Sequence, residues 1–178
     1  MQRRTVAYDA YLNETLRLLA NPGLLLVSQG LDQEPNAMTI ACGMMGNMWG
    51  MRVFTILVRT SRYTFTRLEE SDSFTVNVPP SMLYDAVTFC GRHSGRDCDK
   101  LAACDLTLQA TETITTPTIA ECPVVYECKI LDIDAVKGGL DPNRVGRSFP
   151  GEELFRPYYG EILAVQAAEE AREMLGVV

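Results

Sequence analysis

The sequence predicts one mostly β domain with flanking helices, folded as a small and mainly antiparallel barrel. Six segments read as short strands, and each is bounded by glycine, proline or polar residues that favour turns. Short helical segments separate several of them, without the even strand–helix–strand units that indicate a doubly wound parallel sheet. With 178 residues, 47% hydrophobic and 22% charged, the chain is typical of a single globular domain, so we predict one domain over residues 1–178.

The strand predictions depend on apolar runs and on alternation. Residues 74–78 alternate between apolar and polar side chains and are followed by two prolines. Residues 124–134 give the longest strand signal. Residues 36–43 place small or hydroxylated side chains between larger apolar ones, and we expect a glycine-rich turn at residues 44–50 after them. The six predicted strands cover residues 24–28, 36–43, 53–58, 74–78, 124–134 and 158–167.

Helices are predicted from periodicity and from capping residues. Leucines at helical spacing between residues 12 and 19 precede Asn21-Pro22-Gly23, which ends that helix. Ser61 and Asp97 are suitable N-cap residues for two later helices. Residues 1–20 are therefore interpreted as an N-terminal helical extension and residues 168–178 as a C-terminal helix. The predicted helices cover residues 8–20, 62–70, 83–90, 98–103 and 168–175.

Charge and cysteine content narrow the class of protein. The formal net charge of -7 argues against a nucleic-acid surface, which requires an excess of Lys and Arg. No segment approaches the ~20 apolar residues of a membrane helix, and no apolar signal core follows the N-terminus, so we expect a cytoplasmic protein without membrane attachment. The cysteines form no Cys-x-x-Cys motif, which favours reduced thiols over a disulfide framework or a zinc site. They are Cys42, Cys90, Cys98, Cys104, Cys122 and Cys128.

The common catalytic motifs are absent from the chain. There is no Gly-x-Gly-x-x-Gly after a strand, no Walker loop and no Gly-x-Ser-x-Gly elbow. His93 is the only histidine, which excludes multi-histidine metal sites. A single loop histidine among charged residues is more commonly solvated than catalytic, so no side chain is assigned a catalytic role.

Two segments have the composition of an anion-binding site. Residues 59–64, Arg-Thr-Ser-Arg-Tyr-Thr, lie where a strand runs into a helix, and unpaired backbone N–H groups at a helix start bind phosphate readily. Residues 90–100 combine glycines, which allow close backbone approach to a ligand, with Arg96 and Lys100. Taken singly, each segment is also compatible with a capped helix or a charged surface loop. Their coexistence in an acidic protein strengthens the case for a bound phosphate ester.

Five motifs occur in the order found in one family. Through them the chain resembles the flavin reductase-like, FMN-binding split-barrel family, particularly its flavoredoxin-type branch, from about residue 21 to residue 167. The combination of Arg-x-Ser-Arg-Tyr-Thr with Cys-Gly-x-x-Ser-Gly-Arg-Asp-x-Asp-Lys is specific, whereas Gly-Glu-Ile alone is not. The motifs are Asn36-Ala37-Met38-Thr39-Ile40, Val58-Arg59-Thr60-Ser61-Arg62-Tyr63-Thr64, Phe74-Thr75-Val76-Asn77-Val78-Pro79, Cys90-Gly91-Arg92-His93-Ser94-Gly95-Arg96-Asp97-Cys98-Asp99-Lys100 and Tyr159-Gly160-Glu161-Ile162.

The resemblance implies a split β-barrel of Greek-key type that binds FMN. In the family the Asn-x-Met-Thr-Ile strand lies along the isoalloxazine ring, the Ser-Arg-Tyr-Thr turn receives the phosphate, and the Ser-Gly-Arg-Asp loop with its lysine closes over the ribityl phosphate. No catalytic side chain and no metal is expected, because the flavin carries the chemistry. The cofactor-binding residues implied here are Asn36, Met38, Thr39, Ala41, Cys42, Arg59, Ser61, Arg62, Tyr63, Thr64, Ser94, Gly95, Arg96, Asp97 and Lys100.

The same resemblance implies the activity and the assembly. We expect an NAD(P)H-dependent flavin reductase, in which a hydride passes from NADH or NADPH to FMN and the electrons pass on to free flavin, a partner oxygenase or another redox protein. We also expect a homodimer with the flavin near the interface. In such a dimer Trp49 either reaches the partner's site or packs in its own core.

Two positions depart from the family's pattern. Cys42 stands where many relatives have an aromatic residue, often Trp, and residues 153–158 lack the histidine that many relatives carry before the Tyr-Gly-Glu-Ile strand. Three alternatives therefore stay open. They are an FMN electron-transfer protein that a partner protein reduces, a non-enzymatic ligand-binding barrel, and an enzyme that uses the Cys42 thiol.

Overall fold

Antiparallel strands make up most of the regular secondary structure of the described residues. The computed structural model describes residues 1–133 and 155–176, and this part forms ten strands and five α-helices. The strands are β1 (Arg3–Thr5), β2 (Leu24–Gln29), β3 (Pro35–Ile40), β4 (Gly43–Met48), β5 (Met51–Arg59), β6 (Ser73–Val78), β7 (Leu108–Gln109), β8 (Thr118–Ile119), β9 (Val124–Ile133) and β10 (Phe155–Ala168). The helices are α1 (Leu12–Ala20), α2 (Tyr63–Glu69), α3 (Tyr84–Arg92), α4 (Lys100–Ala103) and α5 (Ala171–Met174).

The main sheet curls into a split barrel. Its strands pair antiparallel in the order β3-β2-β6-β9-β10-β5-β4, and β1 pairs with the end of β10. β3 and β4 are therefore the end strands of this path. Met38 and Ile40 of β3 nevertheless share one buried cluster with Phe54 and Ile56 of β5, so the sheet closes on itself by side-chain packing and leaves a cleft between β3 and β5. The predicted mostly β fold is confirmed.

Strands β2 and β6, and β9 over residues 124–128, are buried on both faces. Leu24 and Leu26 face the barrel interior, whereas Leu25 and Val27 pack with Val87 in a second cluster beneath α3. A strand covered on both sides carries apolar residues at every position. This explains why residues 24–28 form a continuous apolar run rather than an alternating one.

The predicted turn at residues 44–50 is wrong, because most of it is strand. β4 pairs with β5 from Gly43 opposite Ile56 to Met48 opposite Met51, and the turn is restricted to Trp49 and Gly50. Both turn residues have positive φ, 52° and 82°, as a tight two-residue hairpin requires. Trp49 is 79% exposed, so the alternative that it packs in the core is also wrong.

Both N-cap predictions are wrong as well. Arg62 rather than Ser61 occupies the N-cap position of α2, without a side-chain capping bond. Asp99 rather than Asp97 caps α4, since its Oδ1 accepts the backbone N–H groups of Leu101 at 3.0 Å and Ala102 at 3.1 Å. Lys100 is consequently the first residue of α4.

The terminal segments contain less helix than predicted. Residues 1–20 include β1, and α1 begins only at Leu12. β10 continues to Ala168, so α5 is a single turn. Residue 134, at the end of a predicted strand, and residues 177–178 lie outside the described residues.

Candidate functional site

A cavity rich in positive charge lies between β3, the start of α2 and the loop after α3. Its volume is about 240 Å³, and among the described residues no carboxylate lines it. We call it the cationic cavity. It is lined by Met38, Arg59, Ser61, Arg62, Tyr63, Thr64, Cys90, Gly91, His93, Ser94, Gly95, Arg96 and Lys100.

Lys100 is the most informative residue of this cavity. Lys100 is only 4% exposed, and its side chain makes no ion pair within the described part of the chain. Burial lowers the pKa of its ammonium group, and the nearby positive charge of Arg62 lowers that pKa further. A buried cation without a counter-ion costs free energy, so this arrangement is explained best by an anionic ligand.

Asn36 and Gly95 hold the walls of the cavity together. Asn36 Nδ2 donates to Thr64 Oγ1 at 2.9 Å, which joins β3 to the first turn of α2. A Cβ atom at residue 95 would meet the Asn36 side chain and lie 2.8 Å from Tyr63 Cδ1. Only glycine therefore lets the loop after α3 approach β3 and α2 this closely.

Arginines flank the Tyr63 ring. The Arg67 guanidinium lies 4.7 Å from the ring centroid and that of Arg96 lies 5.3 Å from it. Arg67 donates to the Tyr63 hydroxyl and pairs with Asp32 at 2.5 Å, so its charge is compensated. Arg96 donates to the Ser61 carbonyl at 3.3 Å, which ties the loop after α3 to the start of α2.

A second cavity of about 150 Å³ occupies the gap between β3 and β5, and we call it the β3–β5 cleft. The cleft and the cationic cavity share Met38, Arg59, Arg62 and Gly91, so the two lie end to end. One end of this combined site is charged and the other is largely apolar. The cleft is lined by Met38, Thr39, Ile40, Ala41, Cys42, Leu57, Arg59, Arg62, Gly91 and Phe155.

The structure brings thirteen of the fifteen predicted cofactor-binding residues to these two cavities. Ten line the cationic cavity, and Thr39, Ala41 and Cys42 line the cleft. Asn36 lines neither and positions Thr64 instead. Asp97 is exposed and lines neither cavity, and its backbone N–H bonds to the Ser94 carbonyl at 3.1 Å, so its contact with the ligand stays a prediction.

Some lining residues were not among the predicted set. His93 is the most notable, because its ring stacks on Phe89 at 3.9 Å and its Nδ1 lies 3.0 Å from the Phe89 carbonyl. A carbonyl can only accept, so Nδ1 carries the proton and Nε2 is left for other contacts. The feature of the sequence that could have identified His93 as a lining residue is its place within the motif of residues 90–100. The missed residues are Ile40, Leu57, Cys90, Gly91, His93 and Phe155.

Two cysteines line the cavities. Cys90 is a poor nucleophile, and Cys42 is a partly exposed thiol. Burial raises the pKa of Cys90 to about 12, which keeps it a thiol at neutral pH. Cys42 is partly exposed at the cleft, where many relatives of the resembled family carry an aromatic ring. Residues 153 and 154, part of the segment that lacks the family's histidine, lie outside the described residues.

The fold and the two cavities define a split-barrel protein whose site suits a ligand with an anionic end and a flatter, less polar end. The chain belongs to the flavin reductase-like domain family, whose model matches residues 16–176. It is also 29% identical over 106 residues to an uncharacterized protein of Archaeoglobus fulgidus. That match covers 60% of this chain and spans only 59% of the length of the relative.

Solved structures with the same fold include a flavoredoxin and a protein described as FMN-binding. The chain is similar to flavoredoxin of Desulfovibrio vulgaris, with a TM-score of 0.68, 22% identity, and coverage of 94% of this chain and 74% of that one. It is similar to an FMN-binding domain of a flavin reductase-like enzyme from Shewanella baltica, with a TM-score of 0.66, 20% identity, and coverage of 93% and 77%. The fold is therefore that of the FMN-binding split barrels.

The described residues contain neither a metal-binding cluster nor a membrane-spanning helix. Within residues 1–133 and 155–176, no group of three or more His, Cys, Asp or Glu side chains is arranged to hold a metal ion. No helix of this part has the length and the apolar character needed to cross a membrane.

Proposed function

We propose that the protein binds FMN across the cationic cavity and the β3–β5 cleft and acts as an NAD(P)H-dependent flavin reductase. In this proposal the phosphate lies in the cationic cavity and the isoalloxazine ring lies in the cleft. FMN, when bound, supplies the hydride acceptor, and the electrons pass to free flavin, an oxygenase or another redox protein. The chain's own residues bind and orient the flavin, so no acid or base side chain is required.

One observation carries the proposal, namely the buried and unpaired Lys100 in a cavity without carboxylates among the described residues. A phosphate monoester carries about −1.5 to −2 charges at pH 7 and offers three acceptor oxygens. It would compensate Lys100 and Arg62 together and accept from the hydroxyl groups of Ser61 and Thr64 that line the same cavity. The donors present thus fit the group that the family binds.

The test is anaerobic reduction of the loaded protein. Purified protein is incubated with FMN, desalted, and mixed with NADH or NADPH while the flavin absorbance is followed. We expect retained yellow colour that bleaches faster than free FMN does, with one nucleotide preferred. Retained colour without bleaching would replace the reductase by an electron carrier of the flavoredoxin type, and a protein that binds no FMN in equilibrium titration would refute the flavin assignment.

We also propose a homodimer formed through the β4–β5 hairpin. β4 is an end strand of the sheet in the described part of the chain, and the edge of an end strand can associate with another chain. Trp49 at the hairpin tip is 79% exposed and Met44 on β4 is 58% exposed. Large apolar side chains at this exposure on one hairpin support a contact surface.

Replacing Trp49 by serine is expected to weaken this dimer about tenfold or more, because a buried tryptophan anchor commonly contributes over 1 kcal/mol to an interface. Sedimentation velocity over a range of concentrations measures the effect. Met82→Ser is the matched control, since Met82 is equally exposed at 79% but lies in the 3-10 helix before α3. A monomeric wild-type protein, or a W49S variant as dimeric as the wild type, would contradict the proposal.

The cytoplasm remains the compartment we propose. All six cysteines lie within the described residues and are free thiols. Free thiols in this number are typical of a reducing environment.

A further inference from the structure

Two cysteine side chains meet at the edge of the cationic cavity. Cys90 lies in the last turn of α3, is 1% exposed and lines this cavity. Cys104 is the C-cap residue of α4 and is partly exposed. One of the two thiols donates a hydrogen bond to the other sulfur atom. Thiols in such contact are close enough for a disulfide to form with a small movement of the side chains.

Packing between α3 and the end of α4 holds the two thiols together. Cys90 and Leu106 belong to the second buried cluster, and both Leu101 and Cys104 pack against it. Leu106 is 7% exposed, and its backbone N–H donates to the Leu101 carbonyl at 2.9 Å, which folds the chain back directly after Cys104. The contact between the thiols is therefore part of a packed core.

The chain between the two cysteines, residues 91–103, carries much of the cationic cavity, and we call it the phosphate loop. Six of its residues line the cavity, among them Arg96 and Lys100. A covalent bond between Cys90 and Cys104 would close the phosphate loop into a ring that is anchored on α3. Such a cross-link removes conformations of the open chain, so it favours the arrangement already present at the cavity.

We propose that Cys90 and Cys104 form a reversible disulfide that closes the phosphate loop and strengthens FMN binding. The oxidant is a low-molecular-weight disulfide. Cys104, the more exposed of the two residues, attacks it as a thiolate, releases one small thiol and forms a mixed disulfide. Cys90 then displaces the second small thiol. Two protein thiols are oxidised to one disulfide, one small disulfide is reduced to two thiols, and the two protons pass to those thiols.

The surroundings of the pair fit an exchange that is slow and selective. Burial raises the pKa of both thiols, and the nearby ammonium group of Lys100 opposes part of that increase. Few thiolates are therefore present at neutral pH, and mildly alkaline buffer suits the experiment. Cys98 is the third cysteine of this region, and its thiol donates instead to the Ser94 carbonyl at 3.7 Å. It is the alternative partner that the experiment must distinguish.

The experiment equilibrates three proteins with mixtures of reduced and oxidised glutathione. Free thiols are then alkylated, and peptide mass spectrometry identifies the cysteines that are cross-linked. The test variant is Cys104→Ser, and the matched control is Cys98→Ser, which removes a thiol from the same region and leaves the proposed pair intact. Melting temperatures of the reduced variants close to that of the wild type verify that both fold. Isothermal titration calorimetry gives the FMN affinity of the reduced and the oxidised form of each protein.

We expect a cross-link between Cys90 and Cys104 in the wild type and in Cys98→Ser, and none in Cys104→Ser. Oxidation should raise the melting temperature of the first two proteins and strengthen their FMN binding about threefold or more, without either effect in Cys104→Ser. A cross-link that includes Cys98, no cross-link in the most oxidising mixture, or an FMN affinity that oxidation leaves unchanged or weakens would overturn the inference.

The effect on affinity rests on the proposed function, whereas the disulfide does not. A wild-type protein that binds FMN but forms no cross-link between Cys90 and Cys104 would contradict this inference and leave the proposed function intact. A protein that forms the cross-link but binds no FMN in either state would instead refute the proposed function, and with it the effect on affinity.

Discussion

Replacing Lys100 by methionine is expected to weaken FMN binding about 10- to 100-fold and, at the same time, to stabilise the flavin-free protein. The affinity falls because a charge-assisted hydrogen bond to phosphate contributes about 1.5–3 kcal/mol. The stability rises because Lys100 is 4% exposed and has no ion-pair partner among the described residues, so the folded protein carries an uncompensated cation. Removing it should raise the free energy of unfolding by about 1–3 kcal/mol.

The difference in the free energy of unfolding between Lys100→Met and the wild type should depend on pH in one direction. Burial lowers the pKa of Lys100 in the folded protein below its ordinary value, so the unfolded chain holds this proton more tightly. The destabilisation is present in full below the folded pKa of Lys100 and disappears as pH rises from the folded pKa to the unfolded one. The stability advantage of Lys100→Met should therefore shrink in alkaline buffer.

Calorimetric titration with FMN and urea unfolding of the flavin-free protein measure the two effects. Lys129→Met is the matched control, because Lys129 is an exposed residue of β9 away from the cavities. It should change neither quantity by more than about 0.5 kcal/mol. A Lys100→Met protein that binds FMN as tightly as the wild type would refute the role of Lys100 as the phosphate ligand.

Replacing Gly160 by alanine is expected to lower the free energy of unfolding by about 1–3 kcal/mol, because it overpacks the barrel interior. A Cβ atom at residue 160 would lie 2.5 Å from Phe74 Cζ and 2.9 Å from Cys128 Cβ. Phe74 belongs to β6 and is fully buried, so neither side chain can move aside into solvent. The glycine of the Tyr-Gly-Glu-Ile motif thus serves barrel closure rather than ligand contact.

Thermal and urea unfolding measure this loss, and Gly46→Ala is the matched control. Gly46 lies in β4 with negative or extended φ, and a Cβ atom there would meet nothing within 4 Å. Phe74→Leu removes the ring atoms that the new methyl group would meet. The double variant should therefore lose less stability than the sum of the two single variants, and strict additivity would contradict the steric explanation.

The sequence by itself determined the class of fold and most of the residues that line the two cavities. An apolar run such as residues 24–28 specifies a buried strand, because burying its side chains requires a sheet covered on both faces. Arg62, Arg96 and Lys100 lie in two motifs whose composition already indicated an anion, and the structure brings both motifs to one cavity. These features are local, so they can be predicted from the sequence of each segment without knowledge of its tertiary contacts.

Only the tertiary structure decided the features that depend on distant contacts. β4 contains methionine, glycine and asparagine without a strand period, and it becomes a strand because β5 pairs with it. The register of the loop after α3 made Asp99, not Asp97, the cap of α4, and this placed Lys100 in a buried position. Asn36 was predicted beside the ligand, and its bond to Thr64, which is 28 residues away in the chain, appears only in the tertiary structure. Burial, pairing and side-chain direction arise from packing between segments, and no local pattern in one segment records its partner.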